Sequence, residues 1–160
     1  FKTRGTPPYH RYYNVQFGNV KFYRFLQTIG LQPRKSKTLT AVSVPEDLFA
    51  DFLRGLWDGD GGFTTFQHPE SRLVQWKARF SSGSQTFLAW LQDTIEQRHG
   101  IAGKIYRAQR AYQLAYHKDQ GSRLLRIMYY QRNAVCLTRK KQQAHLLLNN
   151  SAGVAELVQA

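Results

Sequence analysis

The chain has 160 residues, 42% of them apolar, which is one domain's worth of material and excludes simple disorder. One cysteine, Cys136, excludes a disulfide framework and a multi-cysteine zinc site, and no run of about 18 uncharged apolar residues offers a membrane span or a secretory leader. Lys and Arg number 23 against 10 Asp and Glu, a net charge of +13 that makes a polyanion, nucleic acid above all, the expected partner of an intracellular protein of the cytoplasm, nucleoid or an organelle.

The charge is unevenly spread. Residues 1–46 carry eight basic and one acidic side chain, residues 47–100 five and seven, and residues 101–150 ten and one. Two basic blocks therefore flank an acidic middle. The cations lie among strand-like residues, so a membrane surface fits less well than nucleic acid.

In chain order, His10 to Phe17 reads as a strand, with Tyr13, Val15 and Phe17 alternating with Tyr12, Asn14 and Gln16. A helix follows in which Phe22, Phe25, Leu26 and Ile29 stand at helical spacing, closed by Gly30. A basic loop, Gln32 to Lys37, leads to a second helix that Pro45 opens. Glu46, Asp47 and Asp51 sit near its start, where the macrodipole favours anions. It holds Leu48, Phe49, Phe52, Leu53 and Leu56 and ends in DGDGG.

Two strands come next, Phe63 to His68 and Arg72 to Phe80. In the second, Val74, Trp76, Ala78 and Phe80 alternate with Gln75, Lys77 and Arg79, the cleanest period of two in the chain. Ser84 caps a helix running to about His99, with Phe87, Leu88, Leu91 and Ile95 inward and Gly100 at its exit. Two short strands, about 104–109 and 112–117, precede a helix over 122–130 and a last one over 138–148. HRYYNVQFGNVKFYRFLQTIG and AYQLAYHKDQGSRLLRIMYY also resemble each other as strand-then-helix units, which makes residues 1–46 the back half of a repeat.

The chemistry-bearing segment is Leu53 to Gly62, LRGLWDGDGG. Asp58 and Asp60 fall at a helix C-terminus, where the dipole is negative and two carboxylates repel. A divalent cation compensates such an arrangement, and carboxylate oxygens suit Mg²⁺ or Mn²⁺. A calcium loop of the EF-hand kind is excluded, because the twelfth position from Asp58 is Pro69 rather than Glu. A glycine-rich helix end with two solvated aspartates is the plainer alternative. The five histidines show no H-x-x-x-H spacing, so a zinc nuclease is not expected.

Leu53 to Gly61 resembles the signature helix of the LAGLIDADG homing endonucleases, matching at Leu53, Gly55, Leu56, Asp58, Asp60 and Gly61 and differing at Arg54, Trp57 and Gly59. The segments GLQPRKSKTL, RFSSGSQTFLAWL and CLTRKKQQ resemble family segments as well. The resemblance implies an α+β fold: an αββαββα unit over 47–150 with a four-stranded antiparallel saddle that enters the major groove. Residues 1–46 would then be a partial first repeat, and residues 151–160 a tail without an assigned role.

It further implies that Asp60 binds metal, with Asp58 secondary, and that Lys140 stabilises charge, with Lys35 as its counterpart in the first half. Ser82 or Arg79 would add a polar group to the same pocket. Gly55 and Gly59 would permit close packing of two signature helices. Gln75, Lys77 and Arg79 are the leading DNA contacts, since amide, ammonium and guanidinium groups suit base edges. Thr65, Gln67, Arg107, Gln109, Gln113 and His117 follow.

The implied function is site-specific, Mg²⁺-dependent cleavage of double-stranded DNA at a long site by metal-assisted phosphodiester hydrolysis. The alternative is a non-cleaving module of the same fold, an RNA-splicing maturase or a degenerate DNA-binding protein. A complete site needs two signature helices, and this chain carries one. The chain starts at Phe1 and reads as a truncated two-unit protein, completed by a missing N-terminal half or by homodimerisation through the signature helix. Nothing at its ends resembles intein junctions, which points to an intron-encoded or free-standing mobile element.

Overall fold

The protein's sheet is a four-stranded antiparallel one in the order β3-β4-β6-β5, built from β3 (Gly61–Gln67), β4 (Val74–Ser82), β5 (Lys104–Ala108) and β6 (Ala111–His117). The strands β1 (Lys2–Arg4) and β2 (His10–Tyr12) form a separate two-stranded ribbon. The helices are α1 (Val20–Thr28), α2 (Phe49–Asp60), α3 (Gln85–His99), α4 (Lys118–Met128) and α5 (Thr138–Asn149). These come from a computed structural model that describes residues 2–4, 10–12, 15–67, 70, 74–131 and 133–149. The order from residue 49 on is helix, two strands, helix, two strands, helix, with α5 added, so the expected α+β architecture is what the chain adopts. Among the described residues no helix is long and apolar enough to cross a membrane.

Alternation in β4 sorts the sheet into two faces. Trp76, Ala78 and Phe80 are buried and join Leu114 and Tyr116 of β6. Helices α2, α3 and α4 cover that face with Phe49, Leu53, Trp57, Leu88, Leu91, Ile95, Leu124, Leu125 and Met128, all in one core. Burial of side chains this large supplies the main driving force for folding.

Local signals set the helix limits. The Ser84 hydroxyl accepts from the Phe87 N–H at 3.2 Å, which caps α3 as expected, and donates to the Leu39 carbonyl at 2.5 Å. Gly100 ends α3 in the left-handed region at φ 60°. Helix α4 starts at Lys118, four residues ahead of the expected Ser122, and carries Gly121 in its interior. A Cβ there would stand 2.8 Å from the Trp76 ring, so this glycine permits close packing rather than breaking the helix.

The N-terminal expectations need correction. Of the strand foreseen over His10–Phe17, His10–Tyr12 is a strand; residues 13 and 14 lie outside the described residues, and Val15 and Phe17 are exposed without regular structure. An alternating apolar segment holds as a strand only where a sheet face covers it, and a two-stranded ribbon is marginal. Helix α1 forms where foreseen, capped by the Asn19 side chain accepting from the Phe22 N–H at 2.9 Å, yet it buries no residue. Residues 31–44 behave differently: Val42 is buried in the core, and Leu31, Leu39 and Val44 pack against it. Packing against the core thus begins near residue 29. The tail 151–160 lies outside the described residues.

Candidate active site at the end of α2

Asp60 is the last residue of α2 and is exposed. The helix stops because Gly61 turns the chain into β3 while its N–H donates to the Trp57 carbonyl. A side chain at Gly61 would collide with Trp57, its Cβ falling 2.6 Å from the ring.

The negative end of α2 receives its cation from within the chain. Lys140, in the first turn of α5, is 4% exposed. Its Nζ donates to the carbonyls of Trp57 at 2.5 Å, Asp58 at 3.0 Å and Gly61 at 2.7 Å. Burial, then Arg139, pulls its pKa below the usual lysine value, while Asp58 and Asp60 oppose that shift. Asp58 ties the helices in the opposite sense. Its Oδ2 accepts from the Leu137 N–H at 2.8 Å, at the start of α5, and its Oδ1 is buried without a partner.

Arg54, one of the misfits in the signature, braces the same helix. It is 6% exposed and pairs with Asp51. Its Nη1 donates to the Met128 carbonyl at 2.8 Å and its Nε to the Val135 carbonyl at 3.0 Å. On another side of α2, Gly55 and Gly59 are exposed, and an added Cβ at either would meet nothing within 4 Å.

Directly opposed residues of an antiparallel ladder share a face. The open face therefore carries Gln75, Lys77 and Arg79 of β4, Gln113 and His117 of β6, Gly62, Thr64 and Phe66 of β3, and Lys104 and Tyr106 of β5. Arg79 opposes Gly62, two residues beyond Asp60, and so carries a guanidinium close to the end of α2. The Lys77 Nζ lies 5.4 Å from the Tyr106 ring centre and 5.9 Å from that of Phe66; the Lys104 Nζ lies 5.6 Å from Tyr106.

Of the foreseen contacts, Gln75, Lys77, Arg79, Gln113 and His117 are brought together. Thr65 and Gln67 fall on the other face, opposite Trp76 and Val74. Thr65 lines a cavity of about 150 Å³ with Phe63, Gln143 and Leu147, against α5. Arg107 opposes Tyr112 on that same face, though exposed at its end, and Gln109 stands in the β5–β6 turn at φ 36°. A hairpin's register decides which alternate residues share a face, and a one-residue offset exchanges the two sets. Thr64, Phe66, Lys104 and Tyr106 went unforeseen for that reason; counting outward from Lys77 through the ladder finds them. Ser82 ends β4, its hydroxyl accepting from the Ser84 N–H at 3.1 Å. Lys35 is exposed in the turn 33–38, whose Ser36 carbonyl packs on Gly83.

The model of the LAGLIDADG-like domain family matches residues 47–158. Among solved structures, the crystal structure of a homing endonuclease, I-TnaI, aligns with a TM-score of 0.47 and 13% identity over 62% of this chain and 69% of that one. No curated protein sequence matches the chain.

Proposed function

The chain belongs to the LAGLIDADG-like family, and we propose that it is a site-specific double-stranded DNA endonuclease of the cell interior, which hydrolyses phosphodiester bonds with a divalent cation at Asp60. One observation carries the reading. An exposed carboxylate ends a helix at the rim of a cationic sheet face, with Arg79 close by and the Lys140 ammonium within electrostatic reach.

The donor set fits Mg²⁺ or Mn²⁺. Such a cation takes one or two protein carboxylates and otherwise phosphate and water, and the carbonyl end of a helix favours positive charge. Asp58 is the poorer ligand, with one oxygen on Leu137 and the other buried. No cluster of three or more His, Cys, Asp or Glu side chains suited to a metal stands among the described residues. When bound, the cation offsets charge on the attacking and leaving oxygens.

The chain's own groups do the rest. Asp60 holds the cation, Arg79 draws the phosphate to the end of α2, and Gln75, Lys77, Gln113 and His117 line the groove-facing sheet, where alternate strand residues meet base edges. The bare strip at Gly55 and Gly59 suits a second signature helix, because glycine lets backbones approach closely. That helix comes from a second copy or from an N-terminal unit whose back half is residues 1–46 and whose site Lys35 would serve. Helix α1 supports the latter, since its uncovered face repeats the spacing of the buried face of α4.

A second reading, a non-cleaving DNA- or RNA-binding module of the same fold, is favoured by the commitment of Asp58 to Leu137, which leaves one free carboxylate at the helix end. Cleavage of a randomised duplex library in Mg²⁺ separates the two. Cutting at one long site is expected, lost in Asp60→Asn with affinity for the duplex little changed. Selective binding without cutting by either chain replaces the first reading with the second. Loss of affinity together with cleavage makes Asp60 structural.

A further inference from the structure

The ammonium of Lys140 has no donor left to give. A lysine carries three N–H bonds and no acceptor, and here three carbonyls, of Trp57, Asp58 and Gly61, stand within 3.0 Å of Nζ. These belong to the last turn of α2 and the residue after it, where helix geometry leaves carbonyls short of partners; that of Trp57 also accepts from the Gly61 N–H. The side chain is almost wholly buried. Turning Nζ toward a phosphate would strip hydrogen bonds from carbonyls in a buried to partly buried site. The tie also runs the other way, because Asp58 of α2 accepts from the Leu137 N–H at the start of α5. Each helix end closes the other.

We infer that Lys140 is a positioning residue: with Asp58 it clamps the C-terminal end of α2 to the N-terminal end of α5, and so fixes the backbone that carries Asp60. The clamp itself is independent of the nuclease reading; its consequence for cleavage rests on that reading. The conflict between two carboxylates and a negative helix end is thereby relieved by a cation the chain supplies itself.

The test uses the full chain with ¹⁵N-labelled lysine and ¹³C-labelled aspartate carboxyls, the Lys140 ammonium signal being assigned by its loss in Lys140→Met. A slowly exchanging Lys140 ammonium is expected, unshifted when a mixed-sequence DNA duplex and Ca²⁺ are added. In Lys140→Met the Gly61 amide should exchange at least about tenfold faster, because its local opening becomes easier. The Asp60 carboxyl line should broaden in that variant while the line of Asp93, on α3, stays sharp; a general loss of stability would move both. An ammonium signal that shifts or vanishes on adding duplex overturns the inference and makes Lys140 a phosphate contact. So does a Gly61 amide or an Asp60 line that Lys140→Met leaves unchanged. If Lys140→Met does not fold, a fast-exchanging wild-type Nζ, found by elimination among the lysine signals, overturns it equally. Failure of the nuclease reading shows separately, as a wild-type chain that cuts no library DNA while these signals remain measurable.

Discussion

In α4, Gly121, Leu124, Leu125 and Met128 stand at positions one, four, five and eight of a stripe and are all buried. Phe22, Phe25 and Leu26 of α1, with Ile29 just after it, repeat that spacing and none is buried; Phe22 is 44% and Phe25 54% exposed, and of the four only Ile29 packs against the core. The pattern declares that a helix has a face to cover and is silent on what covers it. For α4 the cover is the β4–β6 face and α2, and Gly121 is small because the Trp76 ring sits against it. At the equivalent place α1 carries Phe22, so a surface that received α1 would offer a hollow where α4 meets a ring. Phe22 meanwhile stacks with Phe25 and meets Phe17 at a tilt, with ring centres 6.4 and 5.9 Å apart.

Substitution at matched positions tests that contrast most directly. Leu124→Ala should lower unfolding free energy by about 3 kcal/mol in urea titrations, the usual cost of deleting a buried leucine side chain. Phe25→Ala should change it by less than about 0.5 kcal/mol, as surface substitutions do. Equal losses would mean that α1 is covered in solution.

A middle-sized effect is expected at the strut that holds α4 but has no match on α1. Arg54→Met leaves the Met128 and Val135 carbonyls without their donor and should cost about 2 kcal/mol by the same titration. An unchanged midpoint would show that α4 is held by its apolar face alone.

The smallest effect is a pH dependence confined to the α4 side, where Arg123 donates to the carbonyls of His99 at 2.9 Å and Gly100 at 3.1 Å. Burial, then Arg98 and Arg123, holds the His99 imidazole below its ordinary 6.5, against a weaker pull from Glu46. The unfolded chain therefore takes up the proton first as pH falls. The contribution of His99 is whole above that value and is lost as pH drops from there through the lower folded value. His99→Gln should flatten the fall of Tm as pH drops below about 6.5, relative to wild type. A parallel fall in both proteins would assign the acid sensitivity elsewhere.

Much of this was legible in the residues themselves. The alternation in β4, the Ser84 cap, the Gly100 exit and the signature over Leu53–Gly61 are local signals, and local signals survive folding. Register is not local. Thr65 and Gln67 look as available as Thr64 and Phe66 until the ladder with β4 assigns their faces. The roles of Lys140, Asp58 and Arg54 were hidden for a related reason: each acts on backbone groups 74 to 83 residues away, and backbone groups carry no sequence signal. Asp58 accepts from the Leu137 N–H at the start of a remote helix, a contact that a carboxylate's place in the sequence does not announce. The place of Gly121 inside α4 is equally hidden, because the ring it makes room for lies 45 positions earlier.

The clasp between α2 and α5 also sets an order of events during synthesis. Chains emerge from the ribosome N-terminus first, so α1 to α4 and all four strands of the sheet are made before Leu137 and Lys140 exist. A nascent chain at that stage has the material for its open, cationic sheet face, but the final turn of α2 still lacks the ammonium that closes it. The acid at its tip is fixed only once α5 has been made, so the cationic sheet face can form before the helix end beside it is closed.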